Sequence, residues 1–210
     1  MCAQVELDAG REAAAHAALE EVARRAGAAG DPTYTNDALM TLAQLDMDNE
    51  RWGAARERLQ RAVHGFAGAG EQTGEAQGLA MLALCSQALG NVAERDRAAG
   101  RARELRQAIN SRQEVFSVDV GLAQLEGQVH SDAAAVSTLL ALATDAERRR
   151  WLGWMLEAKL AAWELSRVRD AGAAEALHVE IEKTAREHGF IRILNLLRRR
   201  DGESVRLRTH

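Results

Sequence analysis

The chain has 210 residues, 47% of them hydrophobic, which is enough apolar surface to bury a core and excludes a disordered polar segment. Counting along the sequence gives 42 alanines against 4% aromatic residues and one proline, Pro32; alanine favours helix and the strand-favouring types are scarce, so the chain reads as all-α. Basic residues number 27 and acidic ones 31, a formal charge of -4 that argues against affinity driven by neutralising nucleic-acid phosphates.

The start, Met1 to Glu6, has no basic stretch followed by an apolar run, and nowhere do about 18 apolar residues follow one another. Cys2 and Cys85 are too few for a disulfide framework and read as reduced thiols of a cytoplasmic protein. Lys159 and Lys183 are the two lysines among the 27 basic residues, an arginine bias that with the alanine content points to a GC-rich bacterial genome. Residues 1–30 read as an N-terminal capping helix, from about Val5 to Ala26, broken by Gly27 and Gly30.

A repeat begins at residue 31. The pair Leu-Ala recurs at Leu42-Ala43, Leu82-Ala83, Leu122-Ala123 and Leu160-Ala161, at intervals of 40, 40 and 38 residues, which is room for two helices and two short turns. Asp31 before Pro32 starts the first helix of the first unit. Seven or eight residues after each Ala comes a turn position, Glu50, Gly90, His130 or Arg169-Asp170, and Asn91, Ser131 and Asp170 are N-caps for the helices that follow. In one such helix Trp52, Ala55, Leu59 and Ala62 share a face. Gly65, Gly68, Gly70 and Gly74 read as a flexible loop between hairpins, because they fit neither nucleotide-binding glycine pattern and follow a helix instead of a strand. Ser111 to Glu114 and Thr144 to Glu147 have capping-box spacing, and the latter places Trp151, Trp154 and Trp163 on a helix beginning after Asp145. Phe190, Ile191, Ile193, Leu194 and Leu197 read as a C-terminal cap over the last hairpin, within a region 190–210 whose tail beyond Arg200 is polar and frayed.

A Leu followed by a small residue, a turn seven residues on and a small residue about five further resembles the tetratricopeptide repeat. Leu42, Ala43, Ala55, Leu59 and Ala62 carry the resemblance best, and Leu82, Ala83, Gly90, Ala99 and Ala102 carry it in part. Leu122, Ala123, Ala135, Leu139 and Leu142, then Leu160, Ala161, Ala173 and Leu177, supply two more units. The departures are Arg95 at a small-residue position, the lack of a closing Pro, and units near 40 residues where the family has about 34. Longer units of this kind are similar to the helical repeat regions of bacterial signal-transducing regulators and kinases and of the kinesin light chain. The fold implied is an α-α superhelix, or solenoid, of about five antiparallel helical hairpins, with the repeats over 31–189.

The resemblance implies that the first helices of successive units line a concave face. The positions it assigns there are Asp37, Met40, Gln44, Met47 and Asp48, then Gln77, Ala80, Leu84 and Gln87, then Ser117, Val120, Gln124 and Gln128, then Met155, Ala158, Ala162 and Leu165. None is Lys or Arg, which argues against a carboxylate, phosphate or single-stranded nucleic acid as occupant. Amides and thioethers suit a protein or peptide segment, although the methionines, Met81 included, equally suit irregular gaps in a core. Trp151 and Trp154 beside Arg148, Arg149 and Arg150 form either a docking patch or packing between the third and fourth hairpins.

No chemistry is legible. His16, His64, His130, His178, His188 and His210 are scattered; His178 and Glu182 are four apart but on an exposed helix face; Cys85 reads as an inert buried thiol. The run Arg198-Arg199-Arg200, with Arg206 and Arg208, reads as a solvated helix end. No cofactor, metal or membrane is implied. Two functional readings remain: a noncatalytic scaffold that binds a protein or peptide segment in a bacterial signalling or regulatory system, and a regulatory domain that senses a small apolar ligand or a short peptide pheromone. A closed channel lined by Met40, Gln44, Leu84 and Gln124 favours the second, and an open trough the first. An all-helical enzyme is a remote third, since the inner rows supply as ionisable groups Asp37 and Asp48 alone.

Overall fold

In the computed structural model, the described residues are 12–130 and 133–208, with side chains described for 13–130 and 133–202. Cys2, the start of the first helix at Val5, the Ser131 cap and His210 lie outside them, as do the side chains of Glu203, Ser204, Arg206 and Arg208. The elements are α1 (Glu12–Ala28), α2 (Pro32–Asp48), α3 (Trp52–Ala69), α4 (Gln72–Ala88), α5 (Val92–Ala108), α6 (Arg112–His130), α7 (Ala133–Arg148), α8 (Leu152–Ser166), α9 (Ala171–His188) and α10 (Ile191–Arg208).

Each helix packs on the next, and the even-numbered ones also pack on one another in succession, α2 on α4, α4 on α6, α6 on α8 and α8 on α10. That double adjacency makes an α-α superhelix with the even helices as its inner row. The starts follow from side-chain caps: Asp31 accepts from the Tyr34 amide at 3.2 Å, Asn91 from Glu94 at 3.2 Å, Ser111 from Glu114 at 3.3 Å and Asp170 from Ala173 at 3.0 Å. Gly70 and Gly189 end α3 and α9 in the left-handed region, and Glu50 and Arg150 hold the same conformation without glycine's freedom.

The recurrent pairs face inward as close packing requires. Ala43, Ala83, Ala55, Leu59 and Ala62 are wholly buried, and Leu42, Leu82, Leu160 and Ala161 nearly so. Leu122 and Ala123 are half-buried, so the third unit is the looser one. The core falls into two main clusters that meet at α6: one built from α2 to α6, around Leu59, Ala83, Leu105, Val118 and Leu125, and one from α6 to α10, around Phe116, Leu156, Trp163, Ile181 and Leu197.

Three local expectations are corrected. The glycines after Leu59 are not a loop: Gly65 and Gly68 lie within α3 and Gly74 within α4, with one short turn between. At Gly65 and Gly74 smallness serves packing, since a Cβ on Gly65 would strike the Asn36 side chain and one on Gly74 would stand 2.6 Å from the Phe66 ring. Thr144 does not cap a helix. It lies inside α7, its hydroxyl donating to the Leu140 carbonyl at 2.9 Å, and α8 starts at Leu152 after a left-handed Arg150 that carries no sequence signal. The last helix runs on through Asp201-Gly202 to Arg208. Among the described residues no helix is long and apolar enough to cross a membrane.

Candidate functional site

The inner row encloses a trough of about 700 Å³, walled by α2, α4, α6, α8 and α10. Of the residues placed on a concave face, Gln44, Met47, Asp48, Leu84, Gln87, Ser117, Val120, Gln124 and Gln128 line it. Asp37, Met40, Gln77 and Met155 do not, nor do Ala80, Ala158, Ala162 and Leu165, which are buried in the core. Asp37 stands at the surface, where partial loss of solvent around its carboxyl, foremost, and the nearby Glu71 charge raise it above the ordinary range. Met40 packs beside Val63 against Gly78, Gln77 donates to the Glu114 carbonyl at 3.1 Å, and Met155 is core. The methionines therefore divide, Met47 and Met81 reaching the trough while Met40 and Met155 fill gaps.

The lack of cations expected of this face is overturned by the last helix. Arg192, Leu196 and Arg200, at successive four-residue intervals along one face of α10, line the trough together with Arg167. In the sequence Arg200 reads as a solvated helix end and Arg192 carries no signal, because nothing local says that α10 folds across the inner row. Each of these cations meets an acceptor of the protein's own. Arg192 donates from Nε and Nη2 to Asp48 Oδ2 and Oδ1 at 2.6 and 2.8 Å and from Nη1 to Glu157; Arg200 pairs with Glu164; Arg167 donates to the Arg200 carbonyl at 2.7 Å. Gln44 donates to Asp48 Oδ1 and Gln124 to Glu164 Oε2, both at 2.9 Å, so two of the predicted amides brace these carboxylates. Burial pulls the Arg192 guanidinium down, but the Glu157 and Asp48 charges outweigh it and hold the group above its ordinary value.

Apart from Glu50, the charged groups of the wall are thus met from within, and the accessible surface beside them includes Trp52, Met81, Leu84, Ser117, Gln128 and Trp154, with buried Phe116 behind. Phe116 stacks on Trp154 with centroids 5.5 Å apart, and Trp151 meets Trp154 edge-on at 5.0 Å. The suggested docking patch therefore merges with packing between the third and fourth units: Trp151 and Trp154 are half-buried, Arg149 lies over Trp151 at 5.2 Å and bonds Asp145, and Arg148 is exposed beside them. Trp163 is buried apart, under Arg167.

Elsewhere, burial, chiefly, and the Glu94 charge push the Cys85 thiol up to about 12, so it stays protonated and donates to the Trp52 carbonyl at 3.4 Å. His178 pairs with Asp201 and Glu182 with Arg186, each at 2.7 Å, so the two do not converge on a metal position. Among the described residues no three His, Cys, Asp or Glu side chains are grouped to hold a metal ion. A second cleft, of about 530 Å³, lies between α1 and the first hairpin over buried Asp46, which Arg51 and Arg58 neutralise. No protein-family profile matches the chain, and no curated protein does.

Proposed function

We propose that the protein is a noncatalytic binding array of tetratricopeptide-like helical repeats, and that its trough holds a segment of a partner protein. The observation that carries this reading is a trough whose arginines and their carboxylates are paired with one another, leaving amide, thioether and aromatic surface, with Glu50 at its edge, for the occupant. Such surface suits an extended chain with apolar side chains, because Gln amides can bond a peptide main chain while Met and Trp adapt to what hangs from it. The signalling or regulatory setting that the resemblance implies belongs to the same proposal.

A second reading is favoured by the crossing of α10, which narrows the trough to a volume within the roughly 300–1,000 Å³ range of small-ligand sites. There the occupant is a short free peptide or small apolar ligand, and the array is a regulatory domain.

Replacing Gln44 and Gln124 by Glu is a poor test, since both amides donate to carboxylates and the change would set like charges together. Ser117 is exposed, and filling the trough from that position leaves the core alone. Peptides selected from a displayed random library should bind the wild type and lose at least tenfold in affinity to Ser117→Trp at unchanged helicity. Equal affinity would reject the trough as the site. If that library yields no binder while a small-molecule screen yields apolar ligands that Ser117→Trp excludes, the second reading is favoured.

A further inference from the structure

We propose that α10 is a strap that opens and closes the trough, and that the triad Asp48, Arg192 and Glu157 is its catch. On the side of α8 and α9 the strap is anchored by apolar burial, through Ile193, Leu194, Leu196 and Leu197 in the second core cluster. On the side of α2 the attachment differs in kind. Among the described residues no apolar cluster contains both α2 and α10, and the bonds across that gap are polar: Arg192 to Asp48, and Arg199 Nη1 to Asn49 Oδ1 at 2.6 Å. They join residues 144 and 150 positions apart.

The catch is built to part along one line. Asp48 keeps the hydrogen bond from Gln44 when Arg192 withdraws, and Arg192 keeps Glu157, which sits on α8 on the anchored side. Opening therefore leaves Asp48 its hydrogen bond and Arg192 its ion pair, which lowers the cost of the open state, since a buried charge with no polar partner at all would forbid it. Both partners are largely buried while joined, so salt acts by screening the two charges once they part, and it leaves the apolar anchor in place. The trough's width thus answers to ionic conditions and to any occupant that competes for Asp48 or Arg192.

The test uses the free protein, so its outcome is separate from whether a peptide occupies the trough. Spin labels go on Glu50→Cys and Arg198→Cys, both exposed, in a Cys2→Ser background; Cys85, buried and protonated, stays unlabelled. Double electron–electron resonance should give one short separation at low ionic strength. A longer separation should grow in about 1 M salt, dominate in Arg192→Met, and recede in Arg192→Lys. Should Arg192→Met lose helicity, Asp48→Asn and the salt titration read the same line. A distribution unmoved by salt and by both substitutions would overturn the proposal.

Discussion

Glu94 shows how much of one helix junction rests on a single side chain. Its carboxylate, nearly buried in the first turn of α5, accepts from Arg56 at 2.5 and 3.0 Å, Gln60 at 2.6 Å and Ser86 at 2.8 Å, tying α3 and α4 to α5. The Arg56 hydrogen bonds, foremost, with those from Ser86 and Gln60, outweigh burial and lower its pKa to about 2 from an ordinary 4.5. A carboxylate depressed in the folded state stabilises above its unfolded value and loses that contribution as pH falls towards the folded one. The wild type should therefore shed stability between about pH 4.5 and 2, whereas Glu94→Gln should start roughly 2 kcal/mol lower at neutral pH and show a flatter acid limb. Urea unfolding at several pH values measures both. Asn91 was readable as a cap at this junction; Glu94 was not, because its partners stand 34 and 38 residues away.

At the scale of the element, glycine in α3 has two opposite meanings. Gly65 sits where a Cβ would strike Asn36 of α2, while Gly68, one turn on, faces open space. Gly68→Ala should raise stability by up to about 1 kcal/mol, the helix-propensity gain. Gly65→Ala should lower it by about 1–3 kcal/mol through overpacking, and thermal melts of the two variants separate the cases. In sequence the two are indistinguishable, which is why the stretch reads as a loop until α2 is set beside it. The boundary between α7 and α8 was hidden for a related reason: Arg150 makes the turn in a left-handed conformation that glycine usually announces.

For the whole molecule, the seam between the two core clusters decides how it unfolds. Phe116, on α6, is 1% exposed, and its ring packs against Trp154 and Trp151 of the second cluster while Val115 and Val118 beside it belong to the first. Arrays of this kind gain stability from interfaces between neighbouring units, so weakening one interface uncouples the parts on either side. Phe116→Ala should cost about 3–5 kcal/mol and split a single urea transition into two, read by helicity against tryptophan fluorescence. A single transition merely shifted to lower urea would show that the two clusters share one cooperative unit.

Periodic alanine and leucine settled by themselves that the chain is helical, where most hairpins begin, and which faces are buried, because those properties depend on neighbours three, four or forty residues away in a repeating pattern. Which polar groups meet was decided in three dimensions alone. Arg192 reaches Asp48 because the stack curves until its last helix returns to its second, and that curvature is a sum of small helix-to-helix rotations set by side-chain volumes across every interface, Gly65 on Asn36 and Phe116 on Trp154 among them. No local stretch encodes such a sum, so the trough's amides were legible in advance and its closing arginines were not.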